Sequence, residues 1–257
     1  MKLSMASEAA ALYKSGSQRA RVVTEPWGAK NLYCPNCPSP KIDALKNNAK
    51  AVDFKCPACG FWYQLKGQKT KLGGTIGDGD YETMMAAIRN DQTPNFFFMH
   101  YELPDWRVRS LLLVPHFAFP ASAIIKRNPL SPTARRAGWV GCNIALNQIP
   151  LEARIYIVND RQVTPVDEVR RIFLRIKPLA YLSTPERGWT LDVLTAVRSL
   201  NKTEFTNEEM YALAPQLGKL HPGNRHVRDK IRQQLQNLRD LSLVEHVARG
   251  RWRHVPP

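Results

Sequence analysis

Apolar positions along this chain recur with two different periods, and the switches between them mark out its elements. Alternating or short continuous apolar runs at 51–54, 61–66, 95–101, 110–119 and 155–158 predict strands. Helical recurrence predicts a helix over 7–24, interrupted near Ser15-Gly16. It predicts two more over 81–91, with Met84, Met85 and Ile88 on one side, and over 166–176. A Ser-Thr-Pro-Glu stretch between Tyr181 and Arg187 marks a boundary. Beyond it a helix starts at Thr190, with Leu191, Leu194, Val197 and Leu200 in period. The capping box Thr206-x-x-Glu209 opens the next, and Val227, Ile231, Leu235 and Leu238 stripe a third over 224–241. Segments 243–247 and 251–255 then flank an Arg249-Gly250 turn. The pattern predicts an α/β (α+β) domain over 1–182 and a winged-helix domain over 183–257.

Charge adds a partner. The 257 residues carry a formal net charge of +15, with a pI of about 9.8, which points to a polyanion. RNA or acidic lipid would satisfy that charge as well as double-stranded DNA. Glu8 interrupts the apolar run near the N-terminus, which is too short for a signal peptide, and no stretch approaches a membrane span. A monomeric cytoplasmic protein is expected, with no membrane partner.

Four of the five cysteines form two Cys-Pro-x-Cys knuckles, Cys34/Cys37 and Cys56/Cys59. Paired thiolates at this spacing suit a structural zinc ion and are poorly shaped for local disulfides. Cys142 stands alone and reads as a small core residue.

The second knuckle lies inside another pattern: Asp53, a gap, then Gln64-Leu65-Lys66. Strand alternation puts Gln64 and Lys66 on one face, within reach of Asp53 on a neighbouring strand. Asp53, the Gln64 side-chain oxygen and the Leu65 carbonyl would hold magnesium, and Lys66 would orient water or stabilise developing charge. On residues alone this is also an ordinary polar hairpin. Glu25 is a further carboxylate for that site, and equally a helix-surface charge. The stretch 69–79 is glycine-rich and basic, a connector or a phosphate-touching loop without the ending of a P-loop.

Residues 126–142 are too irregular for a core element. Arg135 and Arg136 suit phosphates, and Trp139 suits either a core anchor or contact with a base and its methyl group. In the tail, from Lys219 onward, nine Lys/Arg stand against three Asp/Glu. The third helix would enter the major groove with Asn224, Arg225, Arg228 and Gln233 near base edges, and hairpin arginines such as Arg251 would hold phosphates.

Long blocks carry a family resemblance. They include Tyr33-Cys34-Pro35-Asn36-Cys37, the run from Pro129 to Trp139 through Arg135-Arg136-Ala137-Gly138, Arg187-Gly188-Trp189-Thr190, and Lys230 to Gln236. In these the chain resembles the DpnI group of methyl-directed restriction endonucleases, within the PD-(D/E)xK nuclease superfamily, nearly end to end. The resemblance implies magnesium-dependent cleavage of GATC sites carrying N6-methyladenine, by a catalytic domain followed by a winged helix. It favours the DNA-contacting roles of Arg135, Arg136 and Trp139. One departure stands out, because the family pattern has glutamate where this chain has Gln64. The alternative is therefore a methylated-DNA binding protein with weak or no cleavage.

Overall fold

The computed structural model of the protein describes residues 1–45 and 52–255. Ala51, at the start of the expected 51–54 strand, lies outside them. By contact the chain divides into two compact units, one of residues 1–73, 93–116 and 153–175, the other of 74–92, 117–152 and 176 onward. Strands and helices are numbered in chain order through both.

The first unit is built on a seven-stranded sheet. In spatial order its strands are β1 (Asp43–Ala44), β2 (Phe54–Lys55), β3 (Trp62–Gln68), β5 (Asn95–Glu102), β6 (Arg107–Val114), β9 (Ile155–Asn159) and β10 (Gln162–Val163). β3 and β5 run parallel, with Gln64 level with Phe96 and Lys66 with Phe98. The other neighbours pair antiparallel. Phe96, Phe97, Phe98 and Met99 are all buried. A strand covered on both faces reads as one apolar run rather than an alternation, as β5 does.

Helix α1 (Gly16–Asn31) follows a short 3-10 turn at Glu8–Leu12, so the interruption near Ser15-Gly16 is real. The helix runs on past Thr24, the expected end, to Asn31, with Pro26 inside it. A mid-helix proline forfeits a hydrogen bond. Burial of Val23, Thr24, Trp27 and Gly28 against the rest of the unit outweighs that loss. Thr24 packs on β3 at Gly67, where an added Cβ would come within 3.2 Å of Thr24 Cγ2. Helix α3 (Val166–Ile176) keeps its expected bounds, and its Phe173 ring meets Phe61.

The second unit holds two three-stranded sheets. One is formed by β4 (Thr75–Asp80), β8 (Gly141–Ala145) and β7 (Ile124–Lys126), beside α2 (Tyr81–Arg89). Half of the expected 69–79 loop is thus strand. Ile76, fully paired with Ile144, supplies the apolar contact that overrides the glycines. The other sheet belongs to the order α4 (Thr184–Ser199), β11 (Glu204–Thr206), α5 (Asn207–Ala212), α6 (Ala214–Leu220), α7 (Val227–Asp240), β12 (Val244–Ala248) and β13 (Arg251–His254). Helices followed by a hairpin wing, with β11 added to the wing's sheet, make a winged helix.

In the winged helix, two helix starts differ from the sequence pattern. α4 begins at Thr184, since Ser183 stands at its N-cap, a proline in its first turn and Glu186 just behind; the Ser-Thr-Pro-Glu stretch opens the helix rather than preceding it. α7 begins at Val227, because the Asn224 side chain accepts from the His226 amide at 2.7 Å and holds a turn ahead of the helix. The Thr206–Glu209 capping box is present in both directions. The buried Arg187 paired with exposed Asp91, and the buried ion pair Arg198–Glu152, tie α4 to other parts of the same unit. Among the described residues no helix is long and apolar enough to cross a membrane.

Candidate metal centre and nuclease site

The two knuckles meet. One sulfur from each of Cys34, Cys37, Cys56 and Cys59 lies within 4.8 Å of the others. Cys34 Sγ is 3.5 Å from Cys59 Sγ, and Cys37 Sγ is 3.6 Å from Cys56 Sγ, far beyond a disulfide bond. Four sulfurs about 2.3 Å from a central zinc would be ~3.8 Å apart, so the cluster has the size of a closed tetrahedral thiolate site. Such a donor set suits a soft or borderline ion and leaves no position for a reacting water. Burial pushes the Cys56 thiol up, but the Cys59 and Ala58 amides together with the Cys59 and Cys37 side chains outweigh it and bring it down to about 7, whereas burial raises the Cys34 and Cys37 thiols. Arg170 of α3 fixes the first knuckle by donating to the Cys34 and Ser39 carbonyls at 3.3 and 3.1 Å. Tyr63 Oη reaches Cys34 Sγ at 3.2 Å. Cys142 is fully buried near the Gly79 carbonyl, apart from the cluster.

Asp53 sits just before β2, where the regular pairing with β3 breaks. Its amide donates to the Tyr63 carbonyl at 2.9 Å, and its carboxylate accepts the Leu65 amide at 2.8 Å. That places Asp53 against the segment Gln64-Leu65-Lys66. Gln64 and Lys66 are half-buried, on the face of β3 opposite buried Tyr63 and Leu65. Burial raises the Asp53 carboxyl above its ordinary range, against the Leu65 hydrogen bond and the positive charges of Lys66 and Arg21. Glu25 of α1 belongs to the same neighbourhood. It accepts from Arg21 at 2.6 Å, and it too is raised, first by burial and further by the Asp53 charge. Two carboxylates and two cations therefore act on one another around the β3 backbone.

In the second unit, residues 127–141 form an ordered arch. Leu130 donates to the Trp139 carbonyl at 2.9 Å, and Gly138, at φ +77°, donates back to Leu130 at 3.1 Å. The Arg136 guanidinium lies 4.7 Å from the Trp139 ring centre, while Arg135 is exposed. The indole overlies Gly141, where an added Cβ would sit 2.8 Å from Trp139 Cη2. Trp139 is thus half-buried and held between a cation and a backbone, rather than sunk in a core. In the winged helix, Arg225, Arg228, Gln233 and Arg251 are exposed. Arg228 stacks on Tyr211 at 5.7 Å, and Lys230 donates to Gln233 Oε1 at 2.8 Å. Asn224 spends its side-chain oxygen on the turn described above.

Two family models match the chain: DpnI, described as the Dam-replacing family, over residues 1–181, and the Dam-replacing HTH domain over residues 185–254. The chain belongs to the DpnI family. This DpnI-family chain is accordingly a restriction-type nuclease relative with a helix-turn-helix DNA-binding module, and its four-cysteine cluster can hold zinc. Three of its site contacts had little or no signal in the pattern of residues. Arg170 reaches Cys34 across more than a hundred residues of chain. Arg21 is an ordinary helix charge until the fold sets it near Asp53. Tyr63 occupies an apolar slot in a strand pattern, and its polar tip alone hints at a buried partner.

Proposed function

We propose that this protein is a methylation-dependent, type II deoxyribonuclease of PD-(D/E)xK type, cleaving double-stranded DNA at GATC sites that carry N6-methyladenine. The observation that carries the proposal is the Asp53 carboxylate lodged on the Leu65 amide beside Gln64 and Lys66, in a chain of a restriction-nuclease family. The donors there are all oxygens, as a hard cation such as Mg2+ requires: Asp53, the Gln64 amide oxygen and the Leu65 carbonyl, with Glu25 near. When bound, such an ion polarises the scissile phosphate and acidifies a water. The protein's own part is placement. The Leu65 amide fixes the rotation of the Asp53 carboxylate. Lys66 supplies positive charge beside the phosphate and orients the attacking water. The thiolate cluster would carry a structural zinc that holds the two segments bearing Asp53 and Gln64 together.

Methylation would be read in the major groove, where the adenine N6 group lies. The Trp139 indole, stacked under Arg136, offers an apolar face for the methyl, with Arg135 on phosphate. The N-terminal end of α7, with Arg225, Arg228 and Gln233 exposed beside Asn224, would make a second reading, and Arg251 of the wing would hold the backbone. The protein would act as a monomer.

Gln64 favours a second reading, a methylated-DNA binder that cuts weakly or not at all, because the ion loses one formal charge from its ligands. Plasmid DNA from adenine-methylating and non-methylating hosts, incubated with protein and Mg2+, separates the two. Cutting of methylated plasmid alone is the expected result. Retention of methylated DNA in a gel without cutting would favour the binder, and cutting of both plasmids would remove methylation dependence.

A further inference from the structure

Tyr63 joins the two halves of the candidate site. Its side chain is fully buried, and its ring stacks on Phe97 at 5.3 Å with the planes 18° apart. Its carbonyl receives the Asp53 amide at 2.9 Å, and the next residue is Gln64. At the other end of the side chain, the hydroxyl stands 3.2 Å from Cys34 Sγ. A buried tyrosine hydroxyl usually finds a partner, and the sulfur is the one within reach here. A free thiol could act as donor or acceptor in that contact, but a metal-bound thiolate can only accept. With the cluster loaded, the phenol must therefore be the donor. Hydrogen bonds to ligating atoms orient those atoms and tune the metal, and this one originates on the strand that carries Gln64 and Lys66.

We infer that Tyr63 is a positioning residue whose hydroxyl donates to the metal-bound Cys34 thiolate, so that loading of the cysteine cluster orders β3 and, through the Tyr63 carbonyl, Asp53. The inference rests on the zinc and nuclease readings proposed above. A neighbour supplies the control. Tyr33 is next to Cys34 and buried, yet its hydroxyl has no hydrogen-bond partner among the described residues. Removing it takes the same atom from a buried tyrosine adjacent in sequence to Cys34 without breaking a hydrogen bond to sulfur.

The test compares full-length wild type, Tyr63→Phe and Tyr33→Phe. Phenylalanine preserves ring volume, so packing is kept in both variants. Each is stripped, reloaded with Co2+, and read by its thiolate-to-cobalt charge-transfer band. Zinc affinity is measured by chelator competition, and methylated-plasmid cleavage at saturating zinc. Tyr63→Phe is expected to shift the band, weaken zinc binding about 10- to 100-fold, and slow cleavage, while Tyr33→Phe moves none of these. A Tyr63→Phe band and affinity equal to wild type would overturn the inference. So would equal changes in both variants, which would mark a general loss of core polarity. A wild-type chain that takes up no cobalt overturns it together with the zinc reading. Wild type that shows the band but cuts nothing counts against the nuclease reading, and the band still decides the role of the hydroxyl.

Discussion

Gly28→Ala perturbs the closest approach of α1 to the strands that carry the candidate site. A Cβ at Gly28 would lie 2.8 Å from Phe54 Cζ, 3.1 Å from Leu32 Cδ1 and 3.4 Å from Leu65 Cδ2. Carbon pairs are comfortable at roughly 3.5–4.0 Å, and the Phe54 ring, fully buried, has nowhere to swing. Overfilling a packed site of this kind costs about 1–3 kcal/mol. Alanine in place of glycine within a helix returns about 1 kcal/mol of propensity. The net is a loss of about 1 kcal/mol, or a melting temperature lower by roughly 3 °C for a unit of this size. Gly188, inside α4, isolates the propensity gain, because nothing lies within 4 Å of its added Cβ. Gly188→Ala should stabilise by about 0.4–1 kcal/mol. Calorimetry should therefore show opposite signs for the same chemical change in two helices. Phe54 adjoins Asp53, and Leu65 holds its carboxylate. Cleavage by Gly28→Ala should fall roughly tenfold even where the protein is fully folded, since small misplacements of reacting groups are costly. A Gly28→Ala protein that melts at or above wild type, or that melts lower yet cuts normally, would refute the reasoning.

Gln64→Glu restores a formal charge to the ion's ligands, and the Mg2+ concentration for half-maximal cleavage should fall about tenfold, or about 1.4 kcal/mol; an unchanged titration would place the amide outside the ion's reach. Burial raises Asp53 and Glu25 in the metal-free chain, so protons compete with the ion there, and the Mg2+ concentration for half-maximal cleavage should rise as pH falls toward the carboxylate range. The same shifts mean that the metal-free folded chain holds these protons more tightly than the unfolded one. Their contribution to stability is present below the unfolded carboxylate pKa and is lost as pH rises through the raised folded values. Asp53→Asn should flatten that decline in urea titrations, abolish cleavage, and leave methylated-DNA binding intact in gel shifts. Trp139→Ala should narrow the preference for methylated over unmethylated DNA about tenfold, equivalent to about 1.4 kcal/mol of lost apolar contact, measured as the ratio of the two binding constants.

What the sequence made legible is local. The α3 bounds, the Thr206–Glu209 capping box and the turn at Gly250 each depend on neighbours within a few residues, and each appears where the pattern puts it. Each knuckle is equally local, while the hairpin that sets Asp53 against Leu65 spans twelve residues and was legible from strand alternation. Failures came where distant packing overrules local preference. α1 survives Pro26 because its buried face is held from outside the helix. β4 forms through glycines because β8 pairs with it. The start of α4 was misplaced for the opposite reason, since a proline that reads as a breaker is favourable in a first turn. Glu25 reads in the sequence equally as a further carboxylate for the site and as a helix-surface charge, and it is the fold that brings it under the influence of Asp53.

Under the proposed function, the charge balance around Asp53 bears on why an amide can serve at position 64. Asp53 and Glu25 are already opposed by Lys66 and Arg21, and both acids are raised because burial outweighs that support. A third carboxylate at position 64 would push both further up until an ion arrived. The glutamine avoids this like-charge cost at the expense of weaker capture of a free cation. Magnesium sites commonly complete their shell with substrate phosphate, and DNA brings such oxygens to a chain of net charge +15. Ion and DNA should then be taken up together, each strengthening the other. On this account Gln64 makes the site depend on bound DNA for its metal, and the benefit of Gln64→Glu should be greatest when no DNA is present.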